Sequence, residues 1–174
     1  MSAIRPFNFK KWIEENRHLL KPPVNNKVVY KDTEFIVMVV GGPNSRKDFH
    51  YNESEEFFYQ LEGDALVKIQ EDGKAVEVPI KEGEIFLLPP KVPHNPVRYK
   101  DTIGLVIERR RKEHEKDGLL WFCEKCNHQL FEEYFQLTDI ASQFQGVFKK
   151  FYENEALRTC KNCGNIMVPP PVIS

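Results

Sequence analysis

Apolar positions along the chain change their period as it proceeds. Between residues 7 and 21, Phe9, Trp12, Ile13, Leu19 and Leu20 follow an approximate helical stripe, with Asn8 placed to cap the first turn and Pro22-Pro23 to stop it. The spacing predicts a single helix over 7–21. From Lys27 to about Arg110 the period drops to two. KVVYK, EFIVMVVGG, EFFYQLEG, ALVKIQ, AVEVPI, EIFLLP and IGLVIERR are short, β-branched or aromatic, and separated by Gly, Pro, Asn or Asp. EDGK at 71–74 reads as a hairpin turn with Asp-Gly at its centre. Seven or more short strands with no helical segment between them indicate an antiparallel sandwich or barrel.

The pattern is then interrupted by RRRKEHEKDG at 109–118, which reads as a solvated connector. Beyond it come LLWFCEKC, a predicted strand HQLFEEYFQL, a predicted helix from about Thr138 to Leu157, RTCKNCG and an extended proline-rich tail. There are no internal repeats. The expected organisation is a barrel with its N-terminal helix over 1–110, and a C-terminal extension over 111–174 that packs on the barrel.

Composition removes several function classes. The 174 residues carry 25 basic and 26 acidic side chains for a formal charge of -1, which offers no electrostatic case for nucleic acid or an anionic membrane. The apolar runs FIVMVVGG and IFLLPP are far too short to span a bilayer, and no charged-then-apolar leader opens the chain, so a cytoplasmic location is expected. Exposed edge strands and the aromatic EFFYQ surface make a homodimer an expectation as well.

Cysteine usage does change the picture. Four cysteines form two CxxC pairs, Cys123/Cys126 and Cys160/Cys163, separated by 33 residues. Two such knuckles bring four thiolates into a tetrahedral set that suits Zn or a single Fe. A closed four-cysteine site has no open position, so it is expected to staple the C-terminal segment. A redox CxxC would call for a thioredoxin-like βαβ context, which the pattern lacks. A nucleic-acid-binding ribbon would call for a basic stripe, where FEEYFQL is acidic and aromatic.

A second metal set is less conspicuous. His50 is followed six residues later by Glu56, and His94 lies in GEIFLLPPKVPHNPVR. One histidine or glutamate in a strand is ordinarily a surface group. Two imidazoles and one carboxylate between Gly and Pro turns are more informative, because they occupy one face of a metal and leave the other open, as in non-haem Fe(II) oxygenases. Arg46 shares strand parity with His50, and Arg98 with His94 if that segment is extended. Two guanidiniums facing a metal are costly without an anionic partner, and a substrate carboxylate matches the planar fork of arginine. Glu108 lies on the Gly104–Val106 face of IGLVIERR, where an interior carboxylate is either paired, for example with Arg109 or Arg110 at the rim, or functional.

The stretches GGPNSRKDFHYNESEEFFYQLEG and GEIFLLPPKVPHNPVR resemble the paired motifs of the cupin superfamily. Three positions depart from the pattern: Asn52 stands where the second histidine of motif one is usual, Lys91 where a glycine is, and Arg98 where an asparagine is. The order KPPVNN, VVGGPN, EEFFYQ, FLLPP, VPHNPVR, VIER and two CxxC pairs, from PFNFKKW to the last cysteines, is similar to the 3-hydroxyanthranilate 3,4-dioxygenase family. The resemblance implies an all-β cupin (jelly-roll) barrel with an N-terminal helix and a C-terminal four-cysteine segment. It implies Fe(II) held by His50, Glu56 and His94, and a second Fe or Zn held by Cys123, Cys126, Cys160 and Cys163. It further implies a substrate carboxylate on Arg46 and Arg98, and Glu108 against the substrate hydroxyl or amine, where it would take a proton. The implied reaction inserts both atoms of O2 into 3-hydroxyanthranilate, giving 2-amino-3-carboxymuconate semialdehyde, which closes to quinolinate. Asn26 aligns with a family loop residue near the substrate, although Asn is also an ordinary turn residue. A related cupin dioxygenase acting on another aminophenol or catechol-like acid is one alternative. A non-catalytic cupin that binds a small acid and carries a structural zinc ribbon is another.

Overall fold

A computed structural model describes residues 5–22, 24–30, 33–138 and 140–171, with the side chains of 140–142 left aside. Pro23 and the end of the tail lie outside the described residues. The elements run α1 (Phe9–Asn16), β1 (Asn26–Val28), β2 (Phe35–Gly41), β3 (Phe49–Tyr51), β4 (Glu56–Glu62), β5 (Ala65–Glu71), β6 (Lys74–Ile80), β7 (Ile85–Leu88), β8 (His94–Arg98), β9 (Ile103–Arg109), β10 (Asp117–Phe122), β11 (Gln129–Phe135), α2 (Ile140–Tyr152) and α3 (Glu155–Arg158). The Asn8 side chain accepts from the Lys11 N–H at 2.9 Å, as a helix cap should, and a single 3-10 turn continues α1 to Leu19. Asp72 and Gly73 both have positive φ, which lets β5 turn directly into β6.

The strands form two antiparallel sheets, ordered β1-β2-β9-β4-β7 and β11-β10-β3-β8-β5-β6. Together they make an all-β jelly-roll, with the run β2-β9-β4-β7 in one sheet and β3-β8-β5-β6 in the other. Its interior is packed by Phe58, Val67, Ile80, Leu88 and Val106, each contributing about 1.5–3 kcal/mol by leaving water. On the outside of the first sheet α1 lays Ile13 over Val39 and Ile103. Phe57 and Tyr59 point outward from β4, which is an inner strand between β9 and β7.

The C-terminal part is built into the second sheet. β10 pairs with β3, aligning Leu119 with His50, and β11 pairs with β10. Trp121, Phe144, Val147, Phe151 and Met167 form a separate aromatic-rich cluster there, with the Trp121 and Phe151 rings stacked at 4.4 Å. Asn154 ends the predicted long helix early: its side chain accepts from the N–H groups of Ala156 and Leu157 and starts α3. Among the described residues, no helix is long and apolar enough to cross a membrane.

Candidate metal centre and its cavity

Strand register sets the geometry of the first cluster. His50 and His94 are direct antiparallel partners on β3 and β8, with ring centroids 5.4 Å apart. Glu56 enters from the first residue of β4, in the opposite sheet, and its Oε2 lies 3.1 Å from His94 Nε2. One ligand atom from each of the three residues falls within 4.8 Å of the others. Two donors held about 2.1 Å from one ion at right angles are about 3 Å apart, so the His94–Glu56 spacing suits a shared metal. Each imidazole has one nitrogen engaged away from the cluster: His94 Nδ1 faces the Val92 carbonyl at 3.1 Å, and His50 Nε2 faces Asp117 Oδ2 at 2.6 Å. Such outer partners fix ring orientation in metal-binding histidines.

The surrounding charges favour a cation. Glu56, Glu108 and Asp117 are all buried, and the guanidinium of Arg111 reaches two of them, with Nη1 2.7 Å from Glu108 Oε2 and Nη2 2.7 Å from Asp117 Oδ2. Three carboxylates around one such bridge leave an excess of negative charge. Burial and the neighbouring Glu56 charge push the Glu108 carboxyl up to about 7, against the pull of Arg111. Burial works against the Glu56 charge too, yet His94, His50 and Arg111 hold that carboxyl below its usual range. Burial pushes the His50 imidazole down, toward its neutral ligating form, with Asp117 opposing. For His94 the Glu56 carboxylate outweighs burial and raises it. A divalent ion between these groups would satisfy the carboxylate and both rings at once, so the donor set fits an Fe(II)-type metal.

A cavity of about 930 Å³ opens over this cluster, lined by His50, Glu56, His94, Arg46, Arg98 and Glu108 and walled by apolar side chains including Met38, Val40, Phe58 and Val106. All six polar residues singled out from the sequence therefore meet in one space. Asn26 lines it as well. Arg46 arrives by a different route from strand parity, because residues 43–48 are irregular and β3 begins only at Phe49. Its guanidinium is gripped by the Asp48 carboxylate at 2.5 and 3.0 Å and lies 5.5 and 5.6 Å from the Phe144 and Phe148 rings of α2. Arg98 is buried and, among the described residues, forms no ion pair; its Nη1 donates to Gln60 Oε1 at 2.8 Å.

Several contributors carry no motif signal. Asn52, at the place of the usual second histidine, sets its amide 3.4 Å from both Glu56 Oε2 and Glu108 Oε2 and bridges carboxylates instead of binding metal. Arg111 and Asp117 fall in the charged stretch that reads as solvated, yet the Arg111 side chain is 7% exposed and Asp117 is 0% exposed. Gln60 does have a signal: it continues the inward parity of Glu56 and Phe58 along β4.

The cysteine cluster is built from two equivalent knuckles. The Cys123 N–H donates to the His128 carbonyl and Asn127 N–H to the Cys123 carbonyl; Cys160 N–H donates to the Asn165 carbonyl and Gly164 N–H to the Cys160 carbonyl. Asn127 and Gly164, at φ 57° and 72°, make the matching left-handed turns. Sγ separations of 3.6 Å for Cys123–Cys163 and Cys126–Cys160 are far beyond a disulfide. They agree with the edge of about 3.8 Å of a sulfur tetrahedron 2.3 Å from its ion. The Asn162 side-chain amide, 3.6 Å away, is the main cause that brings the Cys126 thiol down to about 6. His128 takes part through its backbone, its carbonyl accepting from Cys123 N–H and its N–H facing the Cys126 thiol.

The sequence matches the family model described as 3-hydroxyanthranilic acid dioxygenase over residues 1–152. A Xanthomonas campestris protein named 3-hydroxyanthranilate 3,4-dioxygenase is 54% identical over 167 residues, 96% of this chain and 94% of the relative. A Bacillus cereus protein of the same name is 51% identical over 166 residues, 95% and 93% of the two chains. Among solved structures, a cupin-2 domain protein from Shewanella frigidimarina is 17% identical and covers 60% of this chain and 94% of its own, at a TM-score of 0.48.

Proposed function

The chain belongs to the 3-hydroxyanthranilic acid dioxygenase family, and on that premise we propose that it opens the ring of 3-hydroxyanthranilate with dioxygen at the His50–Glu56–His94 cluster. The observation that carries this reading is the meeting of a three-donor metal set, two arginines and a buried carboxyl on one cavity. His50, Glu56 and His94 would hold Fe(II). When bound, that ion supplies open coordination positions at which an aminophenol and dioxygen can meet.

The rest is done by side chains. Arg98 and Arg46 receive the substrate carboxylate and fix the register of the ring. Arg98 offers the larger electrostatic gain, because Arg46 already has Asp48 against it. Glu108, with its carboxyl near 7, accepts a proton from the ring hydroxyl as the substrate settles and becomes neutral, and Arg111 beforehand favours the ionised form that can take that proton. Asn52 keeps Glu108 and Glu56 aligned. Met38, Val40, Phe58 and Val106 exclude water from the ring face. The four-cysteine cluster would hold Zn or a second Fe as a closed structural site.

The test is anaerobic reconstitution with Fe(II), then addition of 3-hydroxyanthranilate followed by air. Stoichiometric oxygen uptake with appearance of 2-amino-3-carboxymuconate semialdehyde is the expected result. Tight binding of the acid with no oxygen uptake by the iron-loaded protein would make it a small-acid binder instead.

A further inference from the structure

The two arginines of the cavity are neutralised to different extents, and the difference traces to one neutral side chain. Arg46 is paired with a carboxylate, Asp48. Arg98 has the cavity on one side and Gln60 on the other, with Gln60 2% exposed and Arg98 6% exposed. Both ends of the Gln60 amide are engaged: Oε1 accepts from Arg98 Nη1, and Nε2 donates to the Glu62 carbonyl at 3.1 Å, which fixes which end faces the guanidinium. Behind this pair lies Gly104, the register partner of Gln60 across β4 and β9. A methyl group at Gly104 would stand 2.3 Å from Arg98 Nη1 and 2.9 Å from Gln60 Oε1. The backbone is bare where the guanidinium passes.

From this arrangement, and resting on the substrate reading above, we infer that Gln60 is a positioning residue that sets the preference for a ring acid: it holds Arg98 through a neutral hydrogen bond and so keeps the arginine's charge free for a substrate carboxylate. A glutamate here would make the same hydrogen bond and cancel the charge. An aliphatic residue would leave the charge but loosen the guanidinium. The buried cation is costly for the free protein, which is seen in burial bringing Arg98 down to about 10, and an incoming carboxylate repays that cost. Gly104 is the second part of the device, since it leaves the space that the guanidinium occupies beside Gln60.

Anaerobic calorimetry on the Fe(II)-loaded protein, titrated with 3-hydroxyanthranilate and with 2-aminophenol, reads the preference directly, because the second ligand keeps the ring hydroxyl and amine and lacks the carboxylate. Gln60→Glu is expected to weaken binding of the acid about 100-fold while 2-aminophenol changes less than about threefold. Gln60→Leu is expected to weaken the acid only about tenfold. That order is the informative readout, since a merely structural glutamine would tolerate the isosteric Glu better than Leu. Equal losses in the two variants, equal losses for both ligands, or an unchanged acid affinity in Gln60→Glu would overturn the inference. Should Gln60→Glu fail to fold, Gly104→Ala takes its place, with the same selective loss expected for the acid and an unselective or absent effect overturning it. Anthranilate against aniline separates the two levels of the argument. If the wild-type protein ignores 3-hydroxyanthranilate yet shows the same Gln60 order with anthranilate, the substrate reading fails and the role of Gln60 stands; absence of any carboxylate preference overturns both.

Discussion

The molecule carries two metal-competent clusters that are built on opposite plans. The cysteine cluster is local: two knuckles of the same backbone pattern, each closed by its own left-handed residue, supply all four sulfurs. The histidine cluster draws its donors from β3, β4 and β8 in two different sheets, and its outer partners from β9, β10 and the segment between them. The first is a complete set of four sulfurs with Cys126 at the surface, and the second is a set of three donors that opens on a cavity. A closed set spends its coordination on holding chain segments together, whereas an open set needs the rest of the fold to hold it so that a face stays free. Under the proposed function, reactivity belongs to the open cluster and stability to the closed one.

The largest effect should come from breaking the open cluster. His94→Ala removes a donor, and oxygen uptake with 3-hydroxyanthranilate should fall at least about 1,000-fold, with loss of one metal per chain. Metal analysis should still find the ion of the cysteine cluster. Full activity in that variant would refute the division of labour. Cys160→Ser should act in the opposite sense. It breaks the four-sulfur set, and the melting temperature should drop by about 10 °C, corresponding to about 3 kcal/mol for a chain of this size. Protein that remains folded at low temperature should keep most of its turnover. A Cys160→Ser enzyme with unchanged stability and abolished turnover would instead make the cysteine cluster part of the chemistry.

The same contrast explains what the sequence alone discloses. Local devices are legible: the Asn8 cap, the Asp72-Gly73 hairpin and both CxxC knuckles are each written in a few consecutive residues. Period two reveals the strands and the inward parity of Glu108, and the motif spacing points to His50, Glu56 and His94, which the structure then brings within 4.8 Å. What escapes is long-range and charged. Arg111 and Asp117 sit in RRRKEHEKDG, where a run of charges ordinarily means solvent, and nothing local says that β10 will insert beside β3 and carry Asp117 under His50. Arg46 is placed correctly by parity for a reason that does not hold, since its segment is irregular and its position is set by Asp48 and the Phe144 and Phe148 rings. The strand boundary, unlike the period, depends on tertiary packing.

Asp117 offers the finest test of the comparison, because it joins the two halves of the chain. It is fully buried, faces His50 at 2.6 Å, and takes two hydrogen bonds from Arg111 at 2.7 and 2.8 Å. Arg111 in turn pairs with Glu108, so one carboxylate touches the ring proposed to hold metal and, through a guanidinium, the group proposed to accept the proton. Asp117→Asn keeps the volume and removes the charge. The expected consequence is a 10- to 100-fold loss of Fe(II) affinity, the usual range for an outer partner of a ligating histidine. Packing alone would lower the melting temperature of metal-loaded and metal-free protein equally. An orienting role predicts a larger drop in the loaded form, since part of that form's stability is the binding energy of the ion. Equal drops with unchanged Fe(II) affinity would reduce Asp117 to a core residue, and the open cluster would then depend on its three donors alone.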